Sequence, residues 1–224
     1  MRSNVREMAG YKCVIWDWNG TLLDDMDVCI NVMNSILKCR EMPVMDTERY
    51  RRIFGFPVKN YYCELGFDFQ KEPFEDISNE YVRKYQKESL FACLREDAVT
   101  VLEFIRDMGI SQVILSASQI QNLEEQVNHF GIAGYFDKLL GLDNCHATSK
   151  VDVGRSWLAE SGFGDGEVIL VGDTLHDFET ANELGCSCLL LSSGHQSRER
   201  LPKSGAYIVD SLPEVRDYLI KAVL

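Results

Sequence analysis

Long apolar runs are missing. No stretch of the 224 residues approaches the roughly 18 consecutive apolar residues that a membrane-spanning helix needs, so no membrane partner is expected. Met1 to Gly10 carries no apolar core of the secretory type, which predicts a cytoplasmic protein. Positive charge is scarce: 23 Lys and Arg face 35 Asp and Glu, a net charge of −12. A surface of that sign repels phosphate backbones and argues against a nucleic-acid partner. The chain has no internal repeat, no low-complexity tract and no Pro/Gly-rich linker dividing it into independent halves. With 46% apolar and 26% charged residues it has the composition of a globular protein, which excludes disordered and fibrous classes. Closely paired cysteines are also scarce. Cys13, Cys29, Cys39, Cys63, Cys93 and Cys145 are scattered, several in apolar stretches, and suit buried thiols in a reducing compartment. Cys186 and Cys188, one residue apart in an apparent strand, are expected to point to opposite faces and to have no metal or redox role.

What is present is alternation. Tyr11 to Trp16 is a short apolar run that stops at Asp17 and is followed by Gly20, the pattern of a buried strand entering a polar loop. The pattern recurs at Gln112–Leu115 before Ser116, Val168–Val171 before Gly172 and Asp173, Cys186–Leu191 before Ser192, and more weakly at Ala206–Val209. Between these runs, Ala98, Val101, Leu102, Ile105 and Met108 form one helical stripe ended by Gly109. Further helices are expected over Asn122–Phe130, Val151–Glu160 and Phe178–Leu184. Such alternation predicts an α/β fold, a doubly wound parallel sheet with helices on both faces. Ligands of such sheets gather beyond the carboxyl ends of the strands, where the polar stops fall. Residues 24–94 break the rhythm, with no convincing strand and helical patterns at Val28–Leu37, Thr47–Phe54 and Phe74–Tyr85. They are expected to form a helical insertion in a core made of residues 1–23 and 95–224. At roughly 150 residues per domain, the length accommodates that arrangement.

Two strand tips are acidic. Asp17-Trp18-Asn19-Gly20-Thr21-Leu22 follows the first strand, and Gly172-Asp173-Thr174-Leu175-His176-Asp177 follows another. Side by side, they would crowd three carboxylates, which need a cation. An all-oxygen ligand set favours a hard ion, with Mg2+ bound through a few carboxylates plus a substrate phosphate fitting best.

In this order the elements resemble the haloacid dehalogenase-like superfamily of aspartate-nucleophile phosphatases, over nearly the whole chain. That family's first motif, a strand followed by Asp-x-Asp-Gly-Thr-Leu, falls on Asp17 to Leu22; the strand-ending Ser or Thr falls on Ser116; the motif lysine falls on Lys150; and the acidic loop falls on Gly172 to Asp177. The insertion resembles the family's helical cap, and Ser193-Gly194-His195-Gln196-Ser197 is similar to a late loop of its phosphoglycolate-phosphatase-like branch. The resemblance implies a Mg2+-dependent hydrolase of a small phosphorylated metabolite, in which Asp17 attacks phosphorus to form an aspartyl-phosphate. It implies that Asp17, Asp173 and the Asn19 main-chain carbonyl hold Mg2+ with Asp177 in support, and that Thr21, Ser116 and Lys150 bind the phosphoryl group. No other cofactor is implied, and the sequence carries no signal for an oligomeric state.

The departure is Asn19, which stands where the family has its general acid and base. An amide cannot exchange that proton near neutral pH. His176, Asp24 and Asp25 are candidate replacements, although a hinge or capping role suits Asp24 and a solvent-facing loop suits His176. Asn19 therefore leaves an alternative open: a weakened phosphate-binding or regulatory member that forms a long-lived aspartyl-phosphate. Arg51, Arg52 and Lys59 in the insertion are candidate contacts for an anionic substrate, or simply a solvated helix face.

Overall fold

The run Cys-Val-Ile-Trp at 13–16 is apolar throughout and wholly buried, as a strand covered on both faces must be. A computed structural model describes residues 10–142 and 149–223; Cys145 and nearly all of the amino-terminal segment discussed above lie outside the described residues. In chain order the strands are β1 (Cys13–Trp16), β2 (Leu23–Asp24), β3 (Cys93–Leu94), β4 (Ser111–Gln119), β5 (Lys138–Leu142), β6 (Val168–Gly172), β7 (Ser187–Leu191) and β8 (Tyr207–Val209). The helices are α1 (Met26–Cys39), α2 (Thr47–Ile53), α3 (Val58–Leu65), α4 (Phe74–Glu88), α5 (Ala98–Asp107), α6 (Ile120–His129), α7 (Lys150–Ser161), α8 (Leu175–Leu184) and α9 (Leu212–Val223). The main sheet runs β5-β4-β1-β6-β7-β8, with every pairing parallel.

The two-residue period of a strand divides β1 between two cores. Val14 and Trp16 join Ile169 and Val171 on the face covered by α5, α6 and α9, whereas Cys13 and Ile15 join Val168 and Leu170 under α7 and α8. Trp16 is buried yet satisfied, because its Nε1 donates to Gln112 Oε1 at 3.0 Å. Truncating a wholly buried Leu such as Leu102 to Ala would cost about 2–5 kcal/mol here.

Helices α1 to α4 enclose a separate apolar cluster built on Met33, Ile36, Leu37, Tyr62 and Ile77. The insertion leaves and rejoins the core through an antiparallel pairing of β2 with β3, in which Leu23 opposes Leu94 and Asp24 opposes Cys93. Its far side is tied down by Arg51, whose Nη2 donates to the carbonyls of Ser192 (2.5 Å) and Gln196 (3.1 Å), and by Arg200, whose Nη1 donates to the Phe54 carbonyl at 2.5 Å.

Several elements differ from the sequence reading. Ser116 lies inside β4 rather than at its end; the ladder to β5 shifts register between Leu115 and Gln119, so regular pairing stops beside Ser116 while the backbone continues extended. The short strands β2, β3 and β5 and the helices α3 and α9 were not expected, and β2 and β3 place strand at both borders of the insertion. Cys186 and Cys188 both pack against the α7–α8 core rather than facing opposite ways, because residues two apart on a strand share a face. Both are free thiols. Among the described residues no helix is long and apolar enough to cross a membrane.

Candidate active site

Asp17 is the first residue beyond β1. Its backbone N–H still donates to the Val171 carbonyl at 2.8 Å, so the ladder fixes it beside the loop that follows β6. That loop brings Asp173, and the first turn of α8 brings Asp177. Oxygens of the three buried carboxylates lie within 4.8 Å of one another. Lys150, the first residue of α7, reaches in with Nζ 2.5 Å from Asp17 Oδ1 and 2.6 Å from Asp177 Oδ1.

One ammonium against three carboxylates leaves negative charge in a low-dielectric space. Burial and the charge of Asp177 push Asp17 up to about 8 against the pull of Lys150. Burial likewise raises Asp173 to about 6; His195 opposes the rise and Asp177 adds to it. Asp177 goes the other way: burial would raise it, but Lys150 and the Thr174 hydrogen bonds outweigh burial and hold it low. Its Oδ2 accepts from the Asp173 and Thr174 N–H groups and from the Thr174 hydroxyl, and its own N–H donates to Thr174 Oγ1, which with the Thr174 N–H bond closes the capping box of α8. Lys150 is raised although burial opposes this, because Asp17 and Asp177 stabilise the ammonium.

Thr21 differs from expectation. Its fully buried hydroxyl lies 3.0 Å from Asp173 Oδ1 and 3.3 Å from Asp17 Oδ2, so it braces two carboxylates and does not line the cavity above them. The backbone closes in on the same place. Gly20 has φ +77, and a Cβ there would meet the His195 ring and Asp173; at Gly194 a Cβ would land on the Asp173 carboxylate. That approach lets the His195 N–H donate to Asp173 Oδ2 at 2.6 Å.

Around Asn19 lies a network that sequence reasoning missed. The amide nitrogen donates to Asp25 Oδ2 at 2.9 Å and to the Tyr85 hydroxyl oxygen at 2.6 Å, and the amide oxygen accepts from the Ser118 hydroxyl at 3.1 Å. Asp25 also accepts from the Gly20 N–H (3.0 Å) and the Tyr85 hydroxyl (2.5 Å), and its Oδ1 lies 3.2 Å from His195 Nε2. Burial would raise Asp25, but the His195 charge and these hydrogen bonds hold it low. His195 is pushed up to about 9: burial opposes this, and Asp25, then Asp173 and Asp17, outweigh it. Its Nδ1 is hydrogen-bonded to the Tyr50 hydroxyl at 2.9 Å. The visible signal was the Gly194-His195 pair after a strand, and the Ile77, Tyr81, Tyr85 stripe of α4, whose last member reaches Asn19 and Asp25.

The three candidate replacements for the missing acid therefore separate. Asp25 is a buried, ionised acceptor. Asp24 is half-exposed and pairs with Arg95 at 3.3 Å, away from the cavity lining. His176 stacks on Phe56 with ring centroids 4.5 Å apart, and burial lowers its pKa. Ser116 is buried, lines the cavity and accepts the Ser118 N–H at 3.1 Å, leaving its own proton to donate. Arg51 is spent on loop carbonyls, Arg52 pairs with Glu48, and Lys59 lies over Phe69 and Phe74.

The carboxylates open into a cavity of about 430 Å³ whose far wall is formed by the insertion. A divalent cation fits its floor: three buried carboxylates share one ammonium, and the oxygen-only donor set suits a hard ion such as Mg2+. Asp25, Cys29 and His195 also cluster within 4.8 Å, but Asp25 is already satisfied by hydrogen bonds.

Comparison with known proteins adds a lineage. The family model described as haloacid dehalogenase-like hydrolase matches residues 14–191. A phosphoglycolate phosphatase of Vibrio parahaemolyticus is 23% identical, covering 91% of this chain and 94% of its own. An N-acetylmuramic acid 6-phosphate phosphatase of Pseudomonas aeruginosa is 25% identical, covering 95% and 96%. A solved haloacid dehalogenase-like family hydrolase of Streptococcus pneumoniae superposes with a TM-score of 0.82 at 22% identity, covering 93% of this chain and 98% of its own.

Proposed function

Because the chain belongs to the haloacid dehalogenase-like hydrolases, we propose that it is a Mg2+-dependent phosphatase of a small phosphorylated metabolite, working through an aspartyl-phosphate on Asp17. The observation that carries this reading is the position of Asp17: at the tip of the central strand, held by Lys150 at 2.5 Å, beside Asp173, and open to the cavity. The two phosphatase relatives act on phosphoglycolate and on a phosphorylated amino sugar, which supports the substrate class. Residues 24–94 act as a cap over a core of 1–23 and 95–224, and a cytoplasmic setting suits such a substrate.

The Asp17 carboxylate attacks phosphorus while Lys150 orients it. Ser116 donates to a phosphoryl oxygen, and Lys150 balances charge that develops there. Asp17, Asp173 and the Asn19 carbonyl, with Asp177 behind them, would hold Mg2+, which would neutralise charge on the transferring group. Thr21 keeps the Asp17 and Asp173 carboxylates in place. A second reading, a regulatory member with a persistent aspartyl-phosphate, is favoured by one observation, the locked Asn19 amide.

Acetyl phosphate tests both. Mg2+-dependent phosphate release, with covalent labelling lost in Asp17→Ala, supports the phosphatase. Labelling that survives in Asp17→Ala removes the nucleophile, and labelling of the native chain without turnover favours the regulator.

A further inference from the structure

The cavity has two unlike walls. Its floor holds the carboxylates and Lys150; its roof carries Phe54, Phe56, Phe74, Tyr81, Val82 and Tyr85. Phe56 is 40% and Val82 37% exposed, so apolar surface reaches the outside and would be covered by an apolar ligand. Ser78 and Gln86 of α4 and Asn122 of α6, which also line the cavity, are polar and uncharged, and His176, also in the lining, is engaged by Phe56 and Glu179.

Cations are the missing element. Among the described lining residues Lys150 is the one Lys or Arg, and it is committed to Asp17 and Asp177. His195 is committed to Asp25 and Tyr50. Arg51, Arg52 and Lys59 point elsewhere, as described above. A substrate carrying a carboxylate or a second phosphate beyond the transferring group would therefore bury an unpaired charge.

The leaving group faces a second restriction. Both N–H bonds of the Asn19 amide are spent on Asp25 and Tyr85, and its oxygen is taken by Ser118. Nothing at that position supplies a proton to a departing alkoxide, whereas an aryl oxide departs without one.

We propose that the preferred substrate is a phosphate monoester of a phenol-type hydroxyl on a flat, uncharged ring, which stacks under the aromatic roof while its phosphate meets the floor. The inference rests on the phosphatase reading above. In the first step a carboxylate oxygen of Asp17 bonds to phosphorus as the bond from phosphorus to the aryl oxygen breaks. The aryl oxide leaves with that electron pair and takes a proton from water. In the second step water attacks the same phosphorus, the bond to Asp17 breaks back to carboxylate, and the water proton passes to solvent. The sum is ester plus water to phenol plus inorganic phosphate.

The full chain with Mg2+ is assayed on phenyl phosphate, benzyl phosphate, 2-phosphoglycolate and acetyl phosphate. Benzyl phosphate keeps the ring but leaves as an alkoxide; acetyl phosphate leaves easily but has no ring. We expect kcat/KM for phenyl phosphate to exceed that for phosphoglycolate and for benzyl phosphate by about 10²-fold or more, the worth of a positioned acid. Phe56→Ala should lower the phenyl-to-acetyl ratio about tenfold, chiefly through KM, and Phe56→Tyr should keep it, as loss and retention of one ring contact predict. Phosphoglycolate matching phenyl phosphate, or an unchanged ratio in Phe56→Ala, overturns the proposal while acetyl phosphate turnover leaves the phosphatase intact. If acetyl phosphate is not turned over either, the phosphatase reading falls and takes this one with it.

Discussion

Asn19→Asp restores a carboxyl where the amide now sits, and the structure says what protonation state to expect. The amide nitrogen is 2.9 Å from Asp25 Oδ2. Two unit charges at about 3 Å and an effective dielectric constant of about 20 repel by about 6 kcal/mol, or roughly four pKa units. One proton must stay with the pair. His195 stands 3.2 Å from Asp25 and holds it ionised, so the proton resides on the introduced carboxyl, at the cavity wall. A protonated acid near neutral pH is thereby built in. Formation of the aspartyl-phosphate from benzyl phosphate should rise by about 10²–10⁴-fold, and formation from phenyl phosphate should hardly change. Loss of the amide donors costs at most about 1–3 kcal/mol of stability, so folded protein remains to be assayed. Single-turnover quench experiments separate formation from decay. An equal factor for the two esters would refute the reasoning, because the introduced group would not then be protonating a leaving group.

Saturating Mg2+ should raise the melting temperature: at 100 times Kd the gain is about 2.7 kcal/mol, or roughly 5–10 °C for a chain of this size. Scanning calorimetry of Asp173→Ala should show no shift; a shift that survives moves the metal elsewhere. The metal-free protein should lose stability as pH rises. Asp17, from 3.8 to about 8, and Asp173, from 3.8 to about 6, hold protons in the fold that the unfolded chain releases, and His195, from 6.5 to about 9, acts with the same sign. Urea midpoints should thus fall from about pH 4 to about 9, through Asp173 up to about 6, Asp17 up to about 8 and His195 between 6.5 and about 9, with Mg2+ flattening the slope; a rising midpoint contradicts the charge crowding. Gly194→Ala should push Asp173 aside, lowering Mg2+ affinity measured by calorimetric titration at least tenfold; unchanged affinity would show that the contact is slack.

The parallel sheet was legible because β1 and β6 are apolar without interruption and stop at carboxylates, a pattern that a half-exposed strand cannot show. The juxtaposition of Asp17 with Asp173 follows from those two strands pairing. β5 escaped notice because Gly141 interrupts its apolar run Lys138-Leu-Leu-Gly-Leu and its edge position leaves Lys138 exposed. The surroundings of Asn19 were illegible for another reason. Asp25 is defined by Tyr85, 60 residues on, and by His195 in the loop after β7. Neither contact has a local pattern, so a reading from spacing alone could rank Asp25 as an acid while the fold lowers its pKa and favours its anion.

The pairing of β2 with β3 has a further consequence. Residues 23 and 94 are partners across an antiparallel ladder, so the whole excursion between them begins and ends at one point of the core. The entropy of closing such a loop grows only as the logarithm of its length. Lengthening, shortening or exchanging helices in that excursion therefore perturbs the sheet little, provided the stem remains. Heritable change can accumulate in the roof that meets the ligand while the strand tips that perform bond breaking stay as they are.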